Sequence, residues 1–292
     1  MPSPDLSLRA NVALKLSPTA MNTWLTCRRQ YFFQYVERKP AGPAKAHFSL
    51  GNSLHSALRD YALPVGEQLP PAELLNKNWI TAGYRDAEMS EQIKSVAHVW
   101  LEQYLLNEGE LAPIGVERSV EYPRDDYVLS GRIDRIDRRI IDGQEQLVIV
   151  DYKTGKGVPT EAEARGSLAL AFYAVAAWRL LRTPCYRVEL HHLPSGTRAV
   201  ATHTQESLTR QGARLDSVAQ EILEARAGYE AAPVRADELF EPQPSAICRW
   251  CDFRDFCPEG QLQGEAVAPW QGVLDVLAEA ELLESLADEP LE

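Results

Sequence analysis

The first hundred residues carry apolar positions three and four apart, the period of helices that pack on one side. Ser17 followed by Pro18 is a favourable helix start, because serine caps free backbone N–H groups and proline is tolerated at the first position. The pattern predicts a helix from there to near Pro40. It predicts three further helices: about Phe48 to Leu63, the segment PAELLNKNWITAG, and about Asp86 to Asn107.

The middle of the chain changes to alternating and short apolar runs, which favour strands. The predicted strands lie near Ile114–Tyr122, Tyr127–Ile140, Glu145–Tyr152, Tyr186–Leu193 and Arg198–Thr204. The Ala- and Leu-rich segment RGSLALAFYAVAAWRLLR predicts a crossover helix after the third strand, and a helix from about Glu206 to Tyr229 follows the fifth. Helices, a strand meander, a crossover helix and more strands indicate an α/β fold with a mixed sheet flanked by helices.

One predicted hairpin has an unusual distribution of charge. Asp142-Gly143 separates two strands and suits a two-residue turn, in which both positions need positive φ. If Ile141 pairs with Gln144, counting outward places Asp134 opposite Asp151, where like charges destabilise a sheet.

The strand that contains Asp151 also supplies a cation. Lys153 lies two residues later and so projects to the same face. The run Val148–Val150 is apolar toward both faces, so this strand is expected to be central. Partly buried carboxylates need a compensating cation, and both an ion pair with Lys153 and a divalent metal satisfy that need. The residues alone leave both interpretations open.

Composition sets the broad class. The chain has 292 residues, 45% apolar and 25% charged, as in a folded globular protein. It has no apolar run near the roughly 20 residues of a membrane span, and no leader pattern at its start. We therefore expect a cytoplasmic protein without membrane contact, in which grouped cysteines indicate metal or redox chemistry.

The net charge of −12 is unevenly distributed. Residues 259–292 hold nine acidic residues and neither lysine nor arginine, so the rest of the chain is close to neutral. Basic residues cluster at Arg28, Arg29, Arg38, Lys39, Lys45, Arg132, Arg135, Arg138 and Arg139. A local basic surface can bind a phosphate backbone despite an overall negative charge, although scattered solvated charges are an equal alternative.

Three motifs together resemble a known family. GNSLHSAL on a predicted helix, GRID on one strand and DYKTG on the next resemble the PD-(D/E)XK nuclease superfamily, in particular its RecB-type exonuclease branch. The resemblance runs from about Leu16 to Pro258 and implies a restriction-endonuclease-like core. It implies that His55, Asp134 and Asp151 bind a catalytic Mg²⁺ or Mn²⁺, and that Lys153 orients or activates the attacking water.

Two further residues are weaker candidates. Tyr173 on the crossover helix matches a family tyrosine, but Ala169 stands four residues earlier, where the family commonly has glutamine. Because of this departure, two interpretations of Tyr173 are almost equally favoured: a catalytic role, and packing in the core. For Glu117, in IGVERSV, an exposed strand charge is preferred over a site role.

The cysteines form a separate pattern. Cys248, Cys251 and Cys257 have the spacing C-x2-C-x5-C, and three thiolates need a fourth donor, for which Cys27 is a candidate. Zinc and an iron–sulfur cluster both fit. The bracketing of the nuclease motifs by one early and three late cysteines resembles the iron–sulfur staple of some RecB-like nucleases, which implies a [4Fe–4S] cluster. Cys185 is predicted to be a packed core residue.

The resemblance implies a metal-dependent DNA nuclease, acting as an exonuclease on single-stranded ends in DNA repair, recombination or processing. Alternatives are a non-catalytic nucleic-acid-binding or scaffold subunit of a helicase–nuclease complex, and a CRISPR-associated exonuclease. A helicase partner is compatible with the resemblance, and the oligomeric state is not predicted. The expected organisation is an extension over 1–16, a nuclease domain over 17–258 with a helical region at about 41–112, and an acidic, helical tail over 259–292.

Overall fold

The computed structural model describes residues 13–109 and 111–287. Its strands are β1 (Leu14–Leu16), β2 (Gly115–Pro123), β3 (Tyr127–Ile141), β4 (Gln144–Lys153), β5 (Cys185–His192) and β6 (Arg198–Thr202). Its α-helices are α1 (Pro18–Thr26), α2 (Arg28–Tyr31), α3 (Ala46–Ala62), α4 (Pro71–Asn78), α5 (Ala87–Glu108), α6 (Glu161–Gly166), α7 (Leu168–Leu181), α8 (Gln205–Ala231), α9 (Ala236–Leu239), α10 (Pro258–Gln261) and α11 (Leu274–Ala287).

The six strands form one mixed sheet. β2, β3 and β4 are antiparallel neighbours, β4 and β5 are parallel across the crossover through α6 and α7, and β6 closes the far edge antiparallel to β5. β1 is parallel to β3 at its first residues. Parallel strands joined by helices, together with antiparallel hairpins, confirm the predicted mixed α/β architecture.

The β3–β4 hairpin has the predicted turn and register. Asp142 and Gly143 have φ of 51° and 75°, as a primed two-residue turn requires. The pairs run from Ile141 with Gln144 inward to Arg135 with Val150. The ladder ends there, one step before Asp134 and Asp151 would meet.

Helices cover both faces of the sheet. On β4, Leu147 and Ile149 enter a core shared with α1, α7 and α8, whereas Val148 and Val150 enter a second core shared with α3, α4 and α5. All four side chains are fully buried. The prediction that this strand is central and covered on both sides is confirmed, because alternate residues pack into two different cores.

The first predicted helix is not continuous, and that prediction is wrong. Ser17 caps α1 as expected, with its side chain accepting from Ala20 N. At Cys27 the backbone becomes extended (φ −162°, ψ 113°), α2 begins at Arg28, and a π-helical turn follows at Phe32–Val36. The apolar spacing persists across the break, so the sequence pattern does not mark it.

The end of the chain is a docked helix. Val273 and Val276 are buried against α3 and α5, and Trp100 Nε1 on α5 donates to Glu279 at 3.0 Å. This helix lies in the segment that was expected to be a helical tail, and it starts at Leu274 after a 3₁₀ turn. Of the helices in the described ranges, none combines the length and the apolar character needed to cross a membrane.

Candidate active site

The centre of the β2–β3 ladder is irregular. β2 pairs with β3 at Val116 and Arg118, but Glu117 between them has a φ of 47° and is skipped. In β3, Ile133 and Ile136 both pack into the same core, which strict alternation of side chains would not allow. Both strands therefore lose their regular alternation around Asp134.

His55 on α3 meets Asp134 at this irregular point. His55 Nδ1 lies 3.4 Å from Asp134 Oδ2, and the same oxygen accepts a hydrogen bond from Tyr152 N at 3.1 Å. The Tyr152 ring packs edge-on against the imidazole, with centroids 5.6 Å apart. The carboxylate of Asp134 thus connects the end of β4 to α3.

A glycine allows α3 to approach this closely. A Cβ on Gly51 would lie 3.1 Å from Thr154 Oγ1, immediately after β4. Gly51 and His55 are four residues apart and share one face of α3. The small residue therefore brings the helix against the strand end, and His55 is placed over the carboxylates.

Three side chains are close enough together to share one metal ion. One ligand atom from each of His55, Glu117 and Asp134 lies within 4.8 Å of the other two. Among the described residues this is the set that meets the distance, and Asp151 is not part of it. The structure thus joins two of the three predicted ligands and adds Glu117.

Asp151 lies beside this set, next to Lys153. Lys153 Nζ is 2.6 Å from Asp151 Oδ2, yet that buried oxygen has no hydrogen bond of good geometry among the described residues. Burial raises the pKa of Asp151, the charge of Lys153 opposes that rise, and the charge of Asp134 adds to it. The carboxylates of Asp134 and Asp151 therefore interact, although their ladder pair is not formed.

The protonation of His55 and Glu117 also depends on the charge of Asp134. Burial lowers the pKa of His55, but its hydrogen bond to Asp134 and the nearby carboxylates outweigh this and raise it overall. Burial raises the pKa of Glu117, Arg132 counteracts this at 2.7 Å, and Asp134 adds to the rise. Crowded, partly buried carboxylates beside an imidazole suit a divalent cation, so the donor set fits Mg²⁺ or Mn²⁺.

Glu117 is the site residue that sequence reasoning undervalued. Alternation along β2 puts it on the same face as Ser119 and Glu121, which are exposed, and this favoured a solvated charge. In the structure its side chain is only 17% exposed and points into the cluster. The preference for an exposed charge is wrong, because the positive φ redirects the side chain.

Tyr173 lies beside the carboxylates but on the other side of β3. A Cβ on Gly131 would be only 2.7 Å from its ring, so the ring packs directly on the strand. Burial and then the charges of Asp151 and Asp134 raise the pKa of Tyr173 to about 12. The hydroxyl is therefore neutral near pH 7 and available as a donor. Ala169 supplies no polar group one turn earlier.

The four grouped cysteines line one cavity. Cys27, at the break between α1 and α2, faces Cys248, Cys251 and Cys257, whereas Cys185 is fully buried in the core as predicted. Backbone N–H groups donate to two of the sulfurs, Gln243 N to Cys27 at 3.5 Å and Ser245 N to Cys248 at 3.4 Å. The N–H groups of Phe253 and Gly260 counteract the effect of burial on the pKa of Cys251 and Cys257.

The cysteine sulfurs are more widely spaced than the ligands of a single zinc ion. Around a single zinc ion, thiolates with bonds near 2.3 Å would lie about 3.8 Å from one another. No three of these sulfurs come within 4.8 Å of each other in the described part of the chain. N–H donors to sulfur favour bound thiolates, because burial otherwise raises the pKa of Cys251 and Cys257. The residues fit a group larger than one ion.

Comparison with known proteins identifies a family and a similar solved structure. A model of the PD-(D/E)XK nuclease superfamily matches residues 15–258. Among solved structures, the crystal structure of SSO0001 is similar with a TM-score of 0.38 and 13% identity, covering 84% of this chain and 85% of that chain. No curated protein matches the chain.

Proposed function

The chain belongs to the PD-(D/E)XK nuclease superfamily, and we propose that it is a metal-dependent deoxyribonuclease acting on the ends of single-stranded DNA. The observation that carries the proposal is the convergence of His55, Glu117 and Asp134 within 4.8 Å, next to Asp151 and Lys153. A cation at the phosphate and a nearby ammonium group accelerate phosphodiester hydrolysis by stabilising negative charge, and this arrangement provides for both.

His55, Asp134 and Asp151 would hold the cation, with Glu117 as a further ligand. When bound, Mg²⁺ or Mn²⁺ supplies Lewis-acid chemistry at the scissile phosphate and acidifies a coordinated water. Lys153 keeps its charge, since Asp151 outweighs the effect of burial and raises its pKa. Its ammonium group can therefore stabilise the negative charge that develops on the attacking oxygen or the phosphate.

Tyr173 would act as a hydrogen-bond donor to the DNA backbone rather than as an acid or base. Its raised pKa keeps the phenol protonated at neutral pH. Loss of this hydroxyl should weaken the positioning of the strand more than the metal chemistry. Without a glutamine at position 169, the family's second polar group on this helix is missing, so Tyr173 would act alone.

The cysteine cavity would hold a [4Fe–4S] cluster on Cys27, Cys248, Cys251 and Cys257. The wide sulfur spacing supports a cluster over a four-cysteine zinc site, and the backbone N–H donors support bound thiolates with either metal group. Such a group would connect the α1–α2 junction to the segment before α10, so its role would be structural. Grouped thiols and a cluster are consistent with a protein of the cytoplasm.

The test is cleavage of end-labelled single-stranded DNA with Mn²⁺, on substrates with free and with blocked ends. Stepwise shortening from a free end is the expected result. Cleavage of both substrates at internal sites would contradict exonuclease action. Absence of cleavage with intact DNA binding would instead favour a scaffold subunit, with or without a helicase partner.

A further inference from the structure

The C-terminal acidic segment lies outside the family match, which ends at residue 258, yet its residues up to 280 are built into the fold. Ala46 N on α3 donates to Pro269 O at 3.0 Å. Gly272 lies so close to His47 that a Cβ there would be 2.6 Å from Nδ1. With Val273 and Val276 buried, the start of α11 has a fixed position on α3 and α5.

In this position α11 forms one wall of a cavity that also contains His55, one of the three side chains that could share a metal ion. The cavity has a volume of about 420 Å³, and its other walls are α3, with Gly51 and His55, and the loop 154–156 after β4. Cavities of roughly 300–1,000 Å³ hold small organic ligands. There is room here for a nucleotide-sized group, directly next to the imidazole of His55.

The α11 wall of this cavity is acidic. Asp275 and Glu279 line it and lie one turn apart on the same face of the helix. Glu279 accepts from Trp100 Nε1, and within the described ranges neither carboxylate forms an ion pair. The lining also includes Lys156 and the ring of Phe48, which is 58% exposed.

We propose that α11 determines substrate specificity: its carboxylates Asp275 and Glu279 prevent a continuous phosphate backbone from passing through the cavity next to His55. A terminal nucleotide can enter the cavity, stack on Phe48 and bring its phosphate near Lys156. Any base can stack in this way, because base–aromatic stacking is independent of sequence. A strand that continues past this point would place further phosphates against two negative charges. The enzyme therefore cuts near strand ends. This inference rests on the proposed nuclease function.

The test neutralises the wall without changing its shape. Asp275→Asn with Glu279→Gln keeps both side-chain lengths, and glutamine can still accept from Trp100. The substrates are a single-stranded DNA circle and the same molecule linearised, with Mn²⁺. The ratio of cleavage rates, circle to linear, should rise roughly threefold to tenfold in the double variant. Higher salt should reduce this effect, because it screens the repulsion.

The control removes two negative charges elsewhere. Glu265 in the C-terminal segment and Asp142 in the β3–β4 turn are exposed. Neither residue lines the cavity beside His55 or belongs to the set of His55, Glu117 and Asp134. Glu265→Gln with Asp142→Asn should leave the ratio unchanged. An unchanged ratio in Asp275→Asn/Glu279→Gln, or an equal rise in the control, overturns the proposal.

A binding measurement separates this proposal from the nuclease function itself. In an Asp151→Asn background, the affinity for the DNA circle relative to linear DNA is compared with and without the two α11 substitutions. If the wild type cleaves neither DNA, the nuclease function fails. A relative gain of circle affinity would still support the role of α11, and no gain would overturn it.

Discussion

Asp151 and Lys153 form an ion pair with atoms 2.6 Å apart at the end of β4, directly after the buried run Leu147–Val150. We expect Asp151→Asn and Lys153→Ala each to abolish cleavage, because members of a cooperating set are each needed for most of the rate. Both substitutions should leave the fold and DNA binding largely intact. The measurement is the single-turnover cleavage rate, together with DNA affinity and thermal unfolding.

Lys94→Ala is the matched control for the lysine substitution. Lys94 pairs with Glu91 on α5 and belongs neither to the set of His55, Glu117 and Asp134 nor to the lining of the cavity beside His55. The Lys94→Ala variant should cleave DNA at the wild-type rate. A wild-type rate in Asp151→Asn or Lys153→Ala would show that these residues are not part of the chemistry.

Glu117 provides a second prediction at this scale. Glu117→Gln keeps the shape of the side chain but removes a charge from the set shared with His55 and Asp134. The affinity for Mn²⁺ should fall roughly 10–100-fold, the range found when metal-site partners are lost. Calorimetric titration of the protein without DNA measures it. Glu121→Gln, on the same strand but paired with exposed Lys15, should bind Mn²⁺ as the wild type does.

The residues of the site differ in how far sequence could predict them. His55, Asp134, Asp151 and Lys153 follow from motifs with fixed spacing on one helix and two strands. Glu117 does not, because alternation assigns it to the solvent face and only its φ of 47° turns it inward. A left-handed residue within a strand leaves no mark in a hydrophobic pattern.

At the scale of elements, the contact between β3 and α7 depends on one glycine. A methyl group on Gly131 would lie 2.7 Å and 3.0 Å from the rings of Tyr173 and Phe172. Gly131→Ala should therefore lower the free energy of unfolding by about 1–3 kcal/mol through overpacking. Urea unfolding measures this. Gly157→Ala, where no atom lies within 4 Å of the added group, should be close to neutral.

A buried charge network connects β5 to β3. Glu189 is 1% exposed and accepts hydrogen bonds from Arg139 at 2.9 Å and from Arg187 at 2.5 Å, while His191 Nε2 lies 2.8 Å away. Burial raises the pKa of Glu189, but the hydrogen bond to His191 and the charge of Arg139 outweigh it and lower the pKa to about 2. The folded state therefore favours the carboxylate.

The lowered pKa predicts how stability depends on pH. A depressed carboxylate contributes stability above its unfolded pKa, near 4.5, and loses it as pH falls toward about 2. Glu189→Gln should cost about 3 kcal/mol or more at pH 7, and the difference from wild type should shrink below pH 4.5. Urea unfolding across this pH range tests it. Glu145→Gln, an exposed partner of Arg138 at 3.7 Å, should cost little at any pH.

The elements that could be predicted are those determined by residues close together in the sequence. The β3–β4 register followed from Asp142-Gly143, since a two-residue turn fixes every pair beyond it. β1 was not predicted, because three residues are too few to show alternation and their partner Tyr127–Leu129 is remote in sequence. The break at Cys27 was missed because packing of that cysteine toward residues 243–260, rather than propensity, interrupts the helix.

At the scale of the whole molecule, the cysteine cavity connects parts of the chain that are distant in sequence. Cys27 follows α1, which packs on the sheet, whereas Cys248 and its neighbours follow α9. The early cysteine could be linked to the late three only through the family resemblance. Spacing alone identified three donors and left the fourth, and the type of metal, open.

Replacing any one of these four cysteines should therefore affect the entire nuclease domain. The free energy of binding a cluster is also free energy of folding, so each of Cys27→Ser, Cys248→Ser, Cys251→Ser and Cys257→Ser should lower the unfolding temperature and, as a consequence, DNA cleavage. Iron and sulfide per chain, measured on protein purified without oxygen, should fall in parallel in all four variants. Cys185→Ser is the control for metal content, since its thiol lines no part of the cavity, although a buried hydroxyl lowers stability by itself.

The pattern across the five variants distinguishes the three interpretations of the cavity. Iron with sulfide, lost in the four variants and retained in Cys185→Ser, supports the cluster. Zinc without sulfide would support a single ion, and the sulfurs would then have to close to about 3.8 Å. Metal retained in Cys27→Ser but lost in Cys185→Ser would contradict the connection between α1 and the late cysteines. Because that connection spans more than half of the chain, it would also remove the reason to expect cleavage and folding to fail together.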